Sequence, residues 1–190
     1  MAEETFRKVD TASLVGDSIS DSDLHQLALL PNLTSIEIEA PNVTDVGVSH
    51  LRPFTSVADL TFGSNRKVSA ASWEVLGECH QLYSLSLRGT QFGDEDVQRI
   101  QGLTKLERLD VSKTNITDAG LEGLSSLTKL SSLRLQRTQI SDAGLVHLKR
   151  LTNLRNVELG TTKVTRAGAQ ELKKSLSNAF ISRIEPEIEQ

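Results

Sequence analysis

The sequence has little cysteine and few aromatic residues. Its one cysteine, Cys79, excludes an intramolecular disulfide and is typical of a protein from a reducing compartment. Aromatic residues make up 4% of the chain, which disfavours nucleic-acid binding by base stacking. No apolar run approaches the length of a membrane span, and the start, MAEETFRKVD, lacks the apolar segment of a signal peptide. We therefore expect a cytoplasmic protein that binds neither nucleic acid nor a membrane.

The motifs of common catalytic and cofactor sites are also missing. The sequence contains no G-x-x-x-x-G-K-[ST], G-x-G-x-x-G, H-E-x-x-H or C-x-x-C. The net charge is −4, so no overall basic balance favours a polyanionic partner, although residues 1–80 carry −7 and residues 81–190 carry +3. These features predict a non-enzymatic protein without a cofactor or a metal.

One eight-residue stretch occurs in two similar copies. It reads TNITDAGL from Thr114 to Leu121, and TQISDAGL from Thr138 to Leu145, which is 24 residues later. Extending this spacing in both directions gives seven repeats over about residues 9–176. The third repeat is predicted to be 25 residues long, with an extra residue near Arg66–Lys67, and it has Ala70 where most other repeats have aspartate. A fixed period of this length predicts a stack of small structural units.

Each repeat contains two different apolar spacings. The first part alternates apolar and polar residues, as at Leu109 and Val111, which predicts a short strand with one buried face. The second part spaces leucines by three, as at Leu121 and Leu124, which predicts a short helical segment with one apolar face. Because one unit cannot cover its own apolar face, stacking predicts a solenoid with a continuous core. The aspartates that open the helical segments, Asp118 among them, are predicted to act as helix N-caps.

The pattern resembles the leucine-rich repeat family, whose unit is L-x-x-L-x-L-x-x-N/C-x-L. The T-x-[IV]-[TS]-D-A-G-L continuation is similar to a bacterial-type subset and to the cysteine-containing repeats of F-box proteins. The resemblance implies a right-handed α/β solenoid with a parallel sheet on the concave face and short helical segments on the convex face. One departure is that threonine replaces the usual asparagine of the family, which only Asn65 keeps. The threonines are Thr90, Thr114, Thr138 and Thr162. Their hydroxyls are expected to hydrogen-bond neighbouring backbone along the ladder.

The whole chain, residues 1–190, is interpreted as one domain. A short segment, 1–8, precedes the repeats, and a capping strand with an acidic tail, 177–190, follows them. Phe6 is expected to supply most of the N-terminal cap, whereas Ala179 to Ile181 with Ile184 form the closing strand. A weak N-terminal cap would leave an edge that pairs with another subunit or with a further domain.

Several residue types that often carry chemistry have structural interpretations here. Cys79 takes the place of a core leucine, and Trp73 takes the position of Leu121 and Leu145, so both are predicted to fill the core. The four histidines are predicted to lie in or beside the convex segments, on a solvated surface. They are His25, His50, His80 and His147.

The positions that differ between repeats remain as candidates for binding. On the predicted concave face, the second and third repeats form an acidic zone, and the next three form a mixed zone rich in arginine and flanked by Lys113 and Arg137. Arginine is a common anchor in protein interfaces and suits recognition of carboxylate or phosphate. The candidate partner-binding residues are Glu37, Glu39, Asp59, Tyr83, Arg88, Arg108, Asp110, Arg134, Gln136 and Glu158.

The leading hypothesis is a protein-interaction module that holds a protein or peptide against its concave sheet. The alternative is an assembly role, in which the N-terminal edge drives formation of a homo-oligomer. Against the first hypothesis, the polar concave face would only keep the protein soluble. A third hypothesis is an enzyme, which would need a catalytic set among the core positions.

Overall fold

The computed structural model describes residues 10–30 and 32–182, and one parallel sheet extends through this length. Its eight strands lie side by side in chain order, and equivalent repeat positions are paired, as Leu85 with Leu109 and Leu109 with Leu133. This confirms the predicted α/β solenoid. The strands are β1 (Thr11–Val15), β2 (Ser35–Glu39), β3 (Asp59–Gly63), β4 (Ser84–Ser86), β5 (Arg108–Asp110), β6 (Ser132–Arg134), β7 (Asn156–Glu158) and β8 (Phe180–Ser182).

A short helix follows each strand from β1 to β7, and successive helices contact each other as successive strands do. The strands and the helices both bury leucines in one hydrophobic core, so neither layer would be stable without the other. Short 3₁₀ helices occur at Leu27–Leu29 and Asp94–Asp96. The α-helices are α1 (Asp21–Gln26), α2 (Asp45–Ser49), α3 (Ala70–Gly77), α4 (Val97–Ile100), α5 (Asp118–Leu124), α6 (Leu145–Leu148) and α7 (Arg166–Ser175).

The third repeat is one residue longer than its neighbours, as the sequence predicted. Asp59 pairs with Ser84, 25 residues later, whereas Ser84 pairs with Arg108, 24 residues later. The extra residue falls in the turn after β3, where the backbone N–H of Lys67 donates to Asn65 Oδ1 at 2.7 Å. The insertion therefore changes the turn and leaves the sheet register intact.

Aromatic residues fill the core where the third and fourth repeats meet. Trp73 on α3 is 1% exposed and lies edge-to-face between Phe62 and Phe92, with ring centroids 6.2 and 5.5 Å away. Cys79 is also buried, at the position of a core leucine. The core interpretation of Trp73 and Cys79 is confirmed.

The aspartates do not cap their own helices, so that prediction was wrong. The residue in extended backbone before α5 is Thr117, and its hydroxyl accepts from the N–H of Ala119 at 3.3 Å. Asp118 is already helical, which takes its carboxylate away from the capping position. It instead accepts from the N–H and the hydroxyl of Ser141 in the next repeat, at 2.8 and 2.6 Å.

The same arrangement recurs along the solenoid, and we call it the Asp–hydroxyl clamp. An aspartate carboxylate accepts from both the N–H and the hydroxyl of the serine or threonine 23 or 24 residues later. Each clamp joins one repeat to the next on the helical side. The pairs are Asp21 with Thr44, Asp45 with Ser69, Asp94 with Thr117, Asp118 with Ser141, and Asp142 with Thr165.

A glycine makes room for most of these carboxylates. A β-carbon at Gly120 would overlap Asp94 Oδ1 and would lie 2.8 Å from Ile116 Cδ1. Gly47, Gly144 and Gly168 meet the preceding aspartate in the same way.

Within the described residues, the junction between the third and fourth repeats lacks the clamp, and the sequence changes there at all three positions. Ala70 replaces the aspartate, Gly93 replaces the hydroxyl residue, and Asp96 stands where Gly120 stands one repeat later. Asp96 Oδ2 accepts from the N–H of Gly93 at 3.0 Å, so this backbone group has an acceptor within its own repeat. Without a carboxylate from the preceding repeat, glycine is not required at this position.

The threonines bond within their own repeat, so the prediction of ladder bonds was also wrong. The Thr114 hydroxyl donates to the carbonyl of Val111 at 2.6 Å, and Thr90, Thr138 and Thr162 repeat this contact. Asn65 has a longer side chain, and its amide donates to Ala40 O in the preceding repeat at 2.6 Å. The reach of the side chain decides whether the bond crosses between repeats.

The two ends of the chain lie partly outside the described residues. This applies to Phe6 and the rest of segment 1–8, to Ile184, and to the acidic tail, so the expected N-terminal cap and N-terminal pairing edge remain predictions. At the other end, β8 pairs with β7 and brings Ile181 against Val157. The extent of the single domain likewise stays a prediction.

Candidate functional site

The solvent side of the sheet carries the residues that differ most between repeats. We call it the concave face and define it by the outward residues of β3 to β7, such as Asp59 and Thr61 on β3 and Arg108 and Asp110 on β5. The intervening residues, such as Leu60, point into the core. Side chains from neighbouring repeats therefore lie beside one another here, at roughly 4.8 Å per strand.

A groove of about 310 Å³ lies in the concave face above β4. It forms there because β4 presents only two small outward residues, Ser84 and Ser86, between larger side chains on β3 and β5. Its walls are charged and include Asp59, Arg108 and Arg134. We call it the concave groove.

Arg108 crosses over β4 to reach the acidic side. Its Nη2 lies 3.6 Å from Asp59 Oδ2, and the two residues share the row of Ser84 in the sheet register. Its guanidinium also lies over the ring of Tyr83, 4.6 Å from the ring centroid. The small Ser84 side chain leaves the path open between β5 and β3.

Arg134 forms a second charged network on the neighbouring strands. Its Nε donates to Glu158 Oε1 at 3.0 Å, and its Nη1 lies 3.9 Å from Asp110 Oδ2. Asn156 and Gln136 also donate to the Glu158 carboxylate. Arg134 thus joins β5, β6 and β7 in one row.

The hydrogen bonds keep Glu158 ionised. Burial by itself would raise the pKa of the Glu158 carboxyl, but donation from Asn156, Arg134 and Gln136 outweighs it and lowers that pKa. The contribution of the ionised Glu158 to folding stability is fully present above the ordinary pKa of glutamate. It is lost as the pH falls through the lowered pKa of Glu158. Near neutral pH, Glu158 is therefore a fixed negative charge.

The predicted acidic zone is divided between different contacts. Glu37 accepts from the Ser13 hydroxyl at 2.8 Å, and Glu39 lies beside Gly63. Asp59 instead belongs to the concave groove through Arg108. The first two carboxylates therefore flank the concave groove on the β2 side.

Arg88 lies apart from Arg108 and Arg134, although the sequence places all three in one zone. It lines a second cavity of about 280 Å³, in the turns that follow β4 to β7. Lys113 and Arg137 line this cavity as well. We call it the turn pocket.

Sequence reasoning missed the small and neutral residues that shape both sites. Ser84 and Ser86 form the floor of the concave groove, and Asn156 orients Glu158. Ser112 donates to Gln136 Oε1 at 2.5 Å and so fixes the amide that binds Glu158. The available signal for the groove was that both outward positions of β4 are serines, whereas the neighbouring repeats have charged residues at one or both of these positions.

The histidines and the cysteine form no reactive group in the described part of the chain. His25 and His50 lie edge-to-face with centroids 4.8 Å apart, a contact that the sequence analysis did not anticipate. Burial, with a smaller effect from Glu78, raises the pKa of the Cys79 thiol to about 11. Among residues 10–30 and 32–182, no group of three or more His, Cys, Asp or Glu is arranged to hold a metal ion.

No helix within the described ranges is both long enough and apolar enough to cross a membrane.

Two consecutive repeats, residues 102–125 and 126–149, match a family model described as leucine rich repeat. Together with the eight-stranded parallel sheet, this decides the architecture. The chain is a leucine-rich repeat solenoid. No curated protein sequence matches it. The narrower resemblance to bacterial-type and F-box repeats stays a prediction.

Solved structures of leucine-rich repeat proteins have the same fold. An internalin (inlF) from Listeria monocytogenes superposes with a TM-score of 0.64 at 22% identity, over 86% of this chain and 51% of that one. An internalin C2 (inlC2) from the same species gives 0.64 at 21% identity, over 93% of this chain and 81% of the other. The chain therefore spans about half the length of the first internalin, and the likeness concerns the fold alone.

Proposed function

We propose that this leucine-rich repeat solenoid is a non-enzymatic protein-interaction module, and that its partner lies across the concave face. The observation that carries the proposal is the pair of charged networks around the concave groove. Arg108 and Arg134 are each held by acidic neighbours on a rigid sheet, with distances of 3.6 and 3.0 Å to Asp59 and Glu158. Side chains fixed before binding lose less conformational entropy when a partner arrives.

The composition of the groove favours a protein partner. Arginine and tyrosine are enriched among the residues that contribute most to interface affinity, and Arg108 over Tyr83 combines both. Arg108 and Tyr83 are about half and two-fifths exposed, so their surfaces remain open to contact. The groove, at about 310 Å³, has the size of a few side chains, so the rest of a partner would extend over the flanking strands.

The same contacts favour recognition over proton transfer. Within the described part of the chain, Asp59 pairs with Arg108, Asp110 accepts from the N–H of Ser112, and Glu158 accepts three donors. Carboxylates held in this way are positioned to contact a partner. We propose on this basis that the module acts without a cofactor.

Charge reversal at Arg108 tests the proposal. We expect Arg108→Glu to lower the amount of specific partner captured from native lysate by at least about tenfold, because it removes an anchor and repels an acidic contact. Stability should change little, since an exposed pair with Asp59 contributes less than about 1 kcal/mol, or roughly 2–4 °C in Tm. Quantitative mass spectrometry of the captured proteins gives the first value, and thermal unfolding gives the second.

Lys129→Glu is the matched control. Lys129 is exposed in the turn before β6, and within the described ranges its side chain has neither a hydrogen bond nor an ion pair. It undergoes the same charge reversal away from the concave groove. Equal capture by wild type, Arg108→Glu and Lys129→Glu would show that the concave arginines only solvate the sheet.

A further inference from the structure

The turn pocket gathers three positive charges that have no acidic partner in the described part of the chain. Arg88, Lys113 and Arg137 line it, and the side chains of these three make neither an ion pair nor a hydrogen bond within residues 10–30 and 32–182. Arg108 and Arg134, only a few residues away in sequence, are both ion-paired. In a chain with a net charge of −4, this is a local concentration of unneutralised positive charge.

The turns that build the pocket are stacked in register. The N–H of Lys113 donates to the carbonyl of Gln136 at 2.8 Å, and the N–H of Arg137 donates to the carbonyl of Gly160 at 2.9 Å. These bonds hold Lys113 and Arg137, which are equivalent residues of successive repeats, at roughly the 4.8 Å spacing of the strands. Arg88 occupies the position of Ser112 one repeat earlier, so it lines the pocket beside these two residues and not in their row.

Two of the cations occupy an unfavourable backbone conformation. Lys113 and Arg137 have φ of 57° and 56°, the left-handed region, whereas the equivalent residue one repeat before Lys113 is Gly89, with φ of 73°. Left-handed backbone is disfavoured for long side chains and easily adopted by glycine. Glycine at these two positions would fit the turn as well, so the backbone does not require the two cations.

The other walls of the pocket are neutral. Ser112, Gln136 and Thr161 contribute to them, and no acidic residue among residues 10–30 and 32–182 lines the pocket. The Ser112 hydroxyl donates to the Gln136 amide oxygen, and the Gln136 amide nitrogen donates to Glu158, which belongs to the Arg134 network. The turn pocket and the concave face are thus adjacent, and one extended partner would reach both.

We propose that the turn pocket binds an acidic peptide segment of the partner, one with two or more neighbouring carboxylates. The inference rests on the proposed protein-binding function and adds the chemistry of the segment that is recognised. Lys113 and Arg137 at strand spacing, with Arg88 on the same pocket wall, suit neighbouring carboxylates of an extended chain, and arginine binds a carboxylate through two parallel N–H groups. At about 280 Å³, the pocket holds groups of side-chain size.

The test uses a fluorescein-labelled hexaglutamate peptide, with hexaglutamine as the uncharged comparison, in an anisotropy titration of the full chain. We expect saturable binding of hexaglutamate that weakens as salt is raised, and no binding of hexaglutamine. Simple attraction between net charges predicts the opposite for an acidic protein. The double variant Lys113→Gln/Arg137→Gln should weaken binding by about tenfold or more.

The matched control is Lys129→Gln/Arg150→Gln, which removes two exposed positive charges at positions outside the turn pocket. It should bind within about twofold of wild type. Absence of saturable binding, or equal loss in both double variants, would overturn the proposal. Stronger competition by inorganic phosphate or by an oligouridine RNA than by unlabelled hexaglutamate would also overturn it, in favour of a phosphate or RNA site.

A folding failure can be separated from a binding failure. Lys113→Gly/Arg137→Gly removes the same charges and suits the left-handed turns. Its Tm should therefore be at least as high as that of the glutamine double variant. If hexaglutamate fails to bind while partner capture still depends on Arg108, the acidic-segment inference is wrong and the proposed function stands.

Discussion

Replacing Trp73 with alanine is expected to lower the free energy of unfolding by about 3–5 kcal/mol. Trp73 is 1% exposed and lies between Phe62 and Phe92, so its removal leaves a large cavity and ends two edge-to-face contacts. The neighbouring repeats form one continuous core and cannot collapse independently around the cavity. This is a large fraction of the 5–15 kcal/mol that is typical of a folded domain.

Urea unfolding followed by circular dichroism measures this change, because the chain has one tryptophan and the variant loses its fluorescence. Trp73→Leu is the matched control, since leucine occupies the equivalent position at Leu121 and Leu145. It should cost less than alanine because it fills more of the cavity. A loss below about 1 kcal/mol for Trp73→Ala would show that the aromatic cluster is not a central part of the core.

Replacing Gly120 with alanine is expected to cost about 1–3 kcal/mol. The added methyl group would overlap the Asp94 carboxylate, which is held by the N–H and hydroxyl of Thr117 and cannot move without breaking the clamp. Removing the carboxylate by Asp94→Ala should itself cost about 1–3 kcal/mol, because the Thr117 donors lose their acceptor. It also removes the closer of the two overlaps that the methyl group would make, leaving the one with Ile116 Cδ1 at 2.8 Å.

The double variant Asp94→Ala/Gly120→Ala should therefore be less destabilised than the sum of the two single variants. A double-mutant cycle in urea measures this coupling directly. Gly102→Ala is the control, since its new methyl group would meet His80 at an ordinary 3.8 Å. Strict additivity, or equal effects of Gly120→Ala and Gly102→Ala, would contradict the clamp as described.

The architecture was accessible from the sequence because its signals are local and repeated. The alternation at Leu109 and Val111 predicted a strand, and the leucine spacing from Leu121 predicted a helix. The 25-residue third repeat was predicted in the same way. Stacking repeats the same short-range choices, so one well-interpreted unit describes most of the chain.

The contacts between repeats were less accessible, because their partners are far apart in the chain. The capping residue was taken to be Asp118, whereas the adjacent Thr117 caps and Asp118 bonds Ser141. A difference of one residue in the helix start decides which side chain has the capping geometry. The coordinated absence of aspartate at Ala70 and of a hydroxyl at Gly93 was the signal for the clamp.

The sequence predicted which residues lie on the concave face, but it did not predict which of them contact each other. The outward positions followed from alternation, but the separation of Arg88 from Arg108 and Arg134 depends on how long side chains cross the strands. Arg108 reaches Asp59 only because Ser84 between them is small. Such reach depends on three repeats at once, which a comparison of single positions does not capture.

The most direct test of the account is a photo-crosslinking measurement with the captured partner. A photoreactive amino acid is introduced in place of Ser86 in the concave groove or, as the control, in place of the exposed Glu122 on α5. We expect crosslinks to the partner from position 86 and none above background from position 122, because the partner should cover the concave sheet. Efficient crosslinking from position 122 with none from position 86 would place the partner on the helical side and contradict the account.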